Sequence, residues 1–152
     1  MMPGTDVVVT MLHAVDDLDW DAVRACFAGE VATDYTSLWG GEPETLTADQ
    51  LIGWWRQLAP GFDATQHLIG PVVVTEADQA TVTCTTNVRA YHRIDDATWM
   101  VAGRYVVRVV RSGESGWRIA AVTLRHYYED GDRGLVDAAT KRVAEADRHR
   151  AL

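Results

Sequence analysis

Thr81-Val82-Thr83-Cys84-Thr85-Thr86-Asn87-Val88-Arg89-Ala90-Tyr91-His92-Arg93-Ile94 sets the structural period of the chain's second half. Thr81, Thr83, Thr85, Asn87, Arg89 and Arg93 share one parity, and Val82, Cys84, Val88, Ala90 and Ile94 share the other. Successive side chains of a strand point to opposite faces, so this stretch reads as a strand with one wet face and one buried face. Residues 64–75, 98–111 and 117–128 have the same β-rich character, and the strand around 81–94 extends back to Ala80. Turn-like residues separate the four stretches: Glu76-Ala77-Asp78, Asp95-Asp96 and Gly113-Glu114-Ser115-Gly116. Four long antiparallel strands are implied.

Upstream the period becomes helical. Val8, Met11, Leu12 and Val15 recur at helical spacing between Asp6 and Leu18, with Thr5 or Asp6 available to accept from the first free backbone N–H groups. A second short helix is expected from Asp19 to Ala28, with Trp20, Val23 and Phe27 on one side and Gly29 ending it. Residues Val31 to Thr36 then read as a short strand. Thr47-Ala48-Asp49-Gln50 fits a reciprocal capping box, and Leu51, Trp54, Trp55 and Leu58 follow until Pro60-Gly61 breaks the helix. The Trp pair reads first as core packing, with stacking on a ligand as the alternative. Leu135, Ala139, Val143 and Ala146 make a thin apolar stripe, so residues 134–150 are expected to form a weakly docked C-terminal helix or a lid. Helices first and a meander afterwards indicate an α+β fold, with helices on one face of a strongly curved sheet that leaves a conical cavity.

At 152 residues and 47% hydrophobic, the chain suits one domain spanning 1–152. Its formal charge of −8 would repel a phosphate backbone, so nucleic acid is not an expected partner. Arg104, Arg108, Arg111 and Arg118 fall near one another on neighbouring strands and read as a solvated or subunit-facing edge. Cys26 and Cys84 sit among apolar neighbours as small hydrophobes, and no disulfide is expected. The Val7-Val8-Val9 run has no basic region before it and is broken by His13 and Asp16-Asp17, which fits neither a signal peptide nor a membrane span. The cytoplasm is the expected compartment. Both faces of the last strand are partly apolar, Trp117, Ile119 and Ala121 on one and Ala120, Val122 and Leu124 on the other, so a homodimer through the outer face of the sheet is expected.

Candidate chemistry begins with the histidines. His92 falls on the apolar parity, where an imidazole must find a partner or stay neutral; it is either a satisfied structural residue or a pocket residue. The direction of His67 is open, because both parities of its strand are apolar and Pro71 can shift the register. At about 100° per residue, Asp16 lies roughly 40° from Leu12, at the margin of the buried stripe of the first helix. It reads as an ordinary solvated helix end, or as a carboxylate that looks inward and gains from an N–H-donating neighbour.

Four segments taken together form a pattern: Asp16-Asp17-Leu18-Asp19-Trp20-Asp21, Thr33-Asp34-Tyr35, Thr65-Gln66-His67-Leu68-Ile69-Gly70 and Arg89-Ala90-Tyr91-His92. In order and spacing, from about Val7 to Trp117, they resemble scytalone dehydratase and its SnoaL-like relatives of the NTF2-like superfamily. The resemblance implies the cone fold, an Asp16–His67 hydrogen-bonded pair, His92 as a second imidazole and Tyr35 as a phenol donor, with no cofactor and no metal. The family's tyrosine before the helix-one Asp is Val15 here, and its Ser and Asn on the third long strand fall within Arg104 to Val106, where Tyr105 is the available donor. Scytalone itself is therefore not the expected substrate. Val15, Trp39, Trp54, Val88 and Tyr105 are expected to line a pocket for a small apolar, aromatic or cyclic substrate. The implied activity is a dehydratase-like lyase on a cyclic or polyketide-like ketone; an isomerase or cyclase of a steroid or polyketide, and a non-catalytic binding module or dioxygenase small subunit, are the alternatives.

Overall fold

The computed structural model describes residues 4–113 and 116–151, so the expected turn at Gly113–Gly116 lies partly outside the described residues. The elements run α1 (Asp6–Asp16), α2 (Trp20–Ala25), β1 (Phe27–Asp34), α3 (Thr36–Trp39), β2 (Glu44–Thr47), α4 (Ala48–Arg56), a 3-10 turn (Ala59–Gly61), β3 (Ala64–Ile69), β4 (Val73–Ala77), β5 (Thr81–Ile94), β6 (Ala97–Arg111), β7 (Trp117–Gly131) and α5 (Leu135–Ala151). The sheet order is β2-β1-β7-β6-β5-β3, with β4 also on β5. The sheet is strongly curved and unclosed, and the helices pack on its concave face: this is the NTF2-like cone.

The apolar stripe of α1 is buried as its spacing requires: Val8, Met11, Leu12 and Val15 all enter the core. The helix stops at Asp16, two residues short of expectation, because Leu18 takes a left-handed conformation with φ 57°. That bend frees Asp19 to cap α2, its carboxylate accepting from the Ala22 N–H at 3.2 Å. The capping box of α4 is present in both halves, Gln50 N–H to Thr47 Oγ1 at 3.1 Å and Thr47 N–H to Gln50 Oε1 at 3.0 Å.

Two boundaries differ from the sequence reading for tertiary reasons. α2 ends at Ala25 and the strand begins at Phe27, not at Val31, because Phe27 is buried against Trp55 and its backbone joins β7 beside Ile119. Gly29 therefore terminates no helix; it lies where the β1–β7 register shifts between Phe27 and Ala32. This β1–β7 pairing is parallel, in contrast to the other pairings of the sheet. The stretch 64–75 is two strands, β3 and β4, interrupted at Gly70–Val72 around Pro71, which has no N–H to give the ladder. Both segments continue along β5, with Ile69 opposite Val88 and Val73 opposite Thr85.

Close backbone approaches shape the cone. A Cβ on Gly103 would stand 2.3 Å from the Arg125 carbonyl oxygen, at the bulge where β6 and β7 shift register. A Cβ on Gly61 would stand 2.0 Å from the Ala139 carbonyl oxygen, so the backbone of α5 lies directly on the turn before β3. Arg142 secures this contact, donating to the Gly61 carbonyl at 2.9 Å and pairing with Asp63 at 3.1 Å. Leu135, Ala139 and Val143 of the α5 stripe are buried, while Ala146 is exposed. No helix among the described residues is long and apolar enough to cross a membrane.

Candidate active site

The helices and the concave face of the sheet enclose a cavity of about 450 Å³. Helix α1 supplies Met11, Leu12 and Val15 to its wall; the β1–α3 corner supplies Tyr35, Leu38 and Trp39; α4 and the turn after it supply Leu51, Trp54, Trp55, Leu58 and Phe62. The sheet contributes Thr65, His67, Val88, Ala90, His92, Trp99, Val101 and Tyr105, and α5 adds Val136 and Thr140. The wall is mostly apolar, with the polar side chains Tyr35, Thr65, His67, His92, Tyr105 and Thr140 set into it.

The β3–β5 register resolves the direction of His67. Thr65, His67 and Ile69 lie opposite His92, Ala90 and Val88, the inward parity of β5, while Leu68 stands opposite Arg89 and is 56% exposed. His67 therefore points into the cone, toward the end of α1. There Asp16 Oδ1 is 2.7 Å from His67 Nδ1, Asp16 Oδ2 accepts the His67 backbone N–H at 2.8 Å, and Thr65 Oγ1 donates to Oδ1 at 2.8 Å. Asp16 does not line the cavity; it stands behind His67 and holds it. Burial works to raise the Asp16 pKa, but the hydrogen bonds and charge of His67, with the Thr65 bond, outweigh it and leave the carboxyl below its ordinary value. An ionised carboxylate accepts only, so the contact fixes the proton of His67 on Nδ1 and leaves Nε2 as the basic atom.

His92 is a pocket residue and a satisfied one. Its Nδ1 lies 3.1 Å from the Trp99 carbonyl oxygen, which can only accept, so this nitrogen carries the proton and Nε2 carries the lone pair. Its ring is packed against Trp99, at 4.4 Å between centroids, and against Phe62, at 4.9 Å, with His67 at 6.3 Å. Burial dominates its titration and lowers the pKa to about 4, although the Trp99 carbonyl opposes the shift. His92 is thus a neutral acceptor at physiological pH.

Two phenols, Tyr35 and Tyr105, line the same cavity as this imidazole pair. Burial and the proximity of Tyr105 hold the Tyr35 pKa well above its usual value, and burial together with the charge of Asp16 does the same for Tyr105. Both remain O–H donors. Asp34 takes no part in the site: its carboxylate accepts from the Thr36 N–H and hydroxyl and starts α3.

A family model described as a SnoaL-like domain matches residues 5–123. The chain belongs to this SnoaL-like family. Among solved structures, the Kfla4162 protein of Kribbella flavida is 26% identical with a TM-score of 0.76, over 88% of this chain and 92% of that one. A "Putative Scytalone Dehydratase" from Novosphingobium aromaticivorans is similar in fold at 15% identity and TM-score 0.69, over 84% of each chain. A hexachlorocyclohexane dehydrochlorinase, LinA type 2, is similar in fold at 11% identity and TM-score 0.70, over 85% of this chain and 86% of that one. No curated protein matches the sequence significantly.

In this SnoaL-like chain Tyr35, His67, His92, Val15, Trp39, Trp54, Val88 and Tyr105 all border one cavity, with Asp16 behind His67. Trp54 is 56% exposed at the rim, so the core-packing reading of the Trp pair holds for Trp55 alone. Sequence reasoning missed Thr65 and Trp99. Thr65 shares parity with His67 and follows once that direction is known. Trp99 follows from the tight turn at Asp95-Asp96, which sets Ile94 opposite Ala97 and hence His92 opposite Trp99.

Proposed function

We propose that the chain is a small-molecule lyase of dehydratase type, acting on an apolar cyclic or polyketide-like ketone by cofactor-independent proton abstraction. The observation that carries this reading is the Asp16–His67 contact of 2.7 Å, placed so that the imidazole meets an apolar cavity while its carboxylate stays outside the wall. In the proposed reaction His67 Nε2 removes the proton α to the carbonyl. Asp16 stabilises the imidazolium that forms, and a phenol of Tyr35 or Tyr105 donates to the carbonyl oxygen as it gains enolate charge. Collapse of the enolate forms the C=C bond and expels the β-hydroxyl, which takes the proton from His67 and leaves as water. His92 Nε2 accepts from a substrate hydroxyl and orients it.

Support from relatives is of two kinds. The proteins named as scytalone dehydratase and hexachlorocyclohexane dehydrochlorinase share this cone, and both names describe an elimination, of water in one and of hydrogen chloride in the other. An isomerase or cyclase would use the same proton abstraction without a leaving group, and product mass separates the two: loss of water for the lyase, no change for the isomerase. The test is deuterium exchange at the α-carbon and water loss across a panel of cyclic β-hydroxyketones. His67→Ala is expected to lower the rate by about 10²–10⁴-fold, the range for a lost general base. Unchanged turnover in that variant would sink the mechanism.

A further inference from the structure

The rim of the cavity is held by a carboxylate that the proposed chemistry does not use. Glu129, near the end of β7, accepts from Trp99 Nε1 at 2.7 Å, from Arg133 at 2.8 and 2.6 Å, and contacts His126 Nε2 at 2.9 Å. The Arg133 bonds, foremost, with those of Trp99 and His126, pull its pKa down to about 2 against the opposing effect of burial. It is therefore an anion at neutral pH.

Two arms leave this carboxylate. One runs through Arg133, whose guanidinium also donates to the Leu38 carbonyl at 3.1 Å and lies 5.6 Å from the ring centre of Trp39. Helix α3 has four residues and cannot hold itself by its own hydrogen bonds. It is tied to β7 by Arg133 at its carboxyl end and by Ser37, which donates to the Leu124 carbonyl at 2.7 Å and accepts the His126 N–H at 2.9 Å. Trp39 thereby stays at the rim, half exposed, with its ring 5.9 Å from that of Trp99. The second arm runs through Trp99, which is 1% exposed and stacks on His92 while its carbonyl fixes the His92 proton.

We propose that Glu129 and Arg133 are positioning residues of this cavity, a clasp that keeps Trp39 on the rim and holds the Trp99 indole against the ring of His92. The proposal uses the same cavity as the lyase reading but does not need turnover, so its test stands apart. Wild type, Glu129→Gln, Arg133→Met and Arg133→Lys are compared by two readouts. The first is 15N NMR of the imidazoles: wild-type His92 is expected as the Nδ1–H tautomer, and in Glu129→Gln that tautomer is expected to stay while the ring shifts move with the loosened Trp99 indole. The second is stopped-flow release of the neutral probe N-phenyl-1-naphthylamine. Release is expected to be roughly tenfold faster in Glu129→Gln and Arg133→Met, the equivalent of about 1.4 kcal/mol, with Arg133→Lys in between because it keeps the charge and loses the fork.

Arg133 is half exposed, so its variants leave no buried gap and carry the test where Glu129→Gln does not fold. Folded variants with an unchanged His92 spectrum and unchanged probe release would overturn the clasp. A probe that does not bind wild type leaves the His92 spectrum to decide. Loss of the clasp effects with His67-dependent turnover intact would reject this inference alone, and the reverse result would reject the lyase reading alone.

Discussion

A carboxylate at the carboxyl end of a helix sits in the unfavourable field of the last carbonyls. Asp16 occupies that position and is nevertheless held ionised by three hydrogen bonds from β3. Asp16→Asn is expected to lower any His67-dependent activity by about 10²–10⁴-fold and to cost about 1.5–3 kcal/mol of stability, the range for hydrogen bonds to a charged group; turnover assays and urea titration measure the two. Because the folded pKa of Asp16 is depressed, its contribution is complete above its ordinary 3.8 and is lost as pH falls through the folded value. His92 gives a second and separable pH effect. Its folded pKa is about 4 against 6.5 when free, so below 6.5 the unfolded chain binds a proton that the native protein does not. Stability is expected to fall by at most about 3 kcal/mol between pH 6.5 and pH 4 from this residue. Denaturation midpoints of wild type and His92→Phe across that window check it: the variant should lose most of the slope, and parallel curves would contradict the assignment.

At the scale of elements, what could be read from sequence depended on whether an element carries its own signal. The capping box of α4, the stripe of α1 and the parity of β5 are local, and each element formed on its pattern, with α1 ending early at Asp16 and α4 at Arg56, before Leu58. The boundary between α2 and β1 is not local: Phe27 fits a helical face equally well, and it is Trp55 and Ile119, distant in sequence, that draw it into a strand. Helix α3 and strand β2 were not legible, since both are four residues long and are held by partners elsewhere, α3 by β7 and β2 by β1. The same division applies to the site. His92 could be placed from parity, whereas His67 needed the β3–β5 register and Asp16 needed the docking of α1 on β3. A bulge exists only through such contacts, and Gly103 tests it. Gly103→Ala would drive a methyl group into the Arg125 carbonyl. The expected cost is roughly 1–3 kcal/mol, as for other overpacked sites, read as a lowered melting temperature. An unchanged melting temperature would mean that the β6–β7 bulge can relax.

At the scale of the whole molecule, the charge is unevenly placed. The chain carries a net −8, yet the convex face of the sheet presents Arg89, Arg104, Arg108 and Arg125, none of which has a carboxylate partner within salt-bridge distance among the described residues. Arg104 and Arg125 stand directly opposite each other on β6 and β7, a like-charge pairing that weakens a sheet. Around them lie Leu68, Tyr127 and Tyr128, all substantially exposed, and Tyr and Arg together are the residue types that anchor protein interfaces. We propose that this face carries the homodimer contact. A two-fold axis through it would bring the same patch of each copy together, apolar and aromatic side chains against each other and guanidiniums near guanidiniums. Association by this route has a definite salt dependence: the apolar contact is insensitive to screening and the repulsion is not. The dimer is therefore expected to tighten as ionic strength rises from about 0.01 M to 0.15 M, where the Debye length falls from roughly 30 Å to 8 Å. Arg104→Ser is expected to strengthen the dimer at low salt and to flatten this dependence, and Tyr127→Ser to weaken the dimer at every salt. Sedimentation velocity at micromolar concentration measures all three. A monomer throughout would remove the dimer, and a dimer that loosens with added salt would place the contact on oppositely charged surfaces instead of on this face.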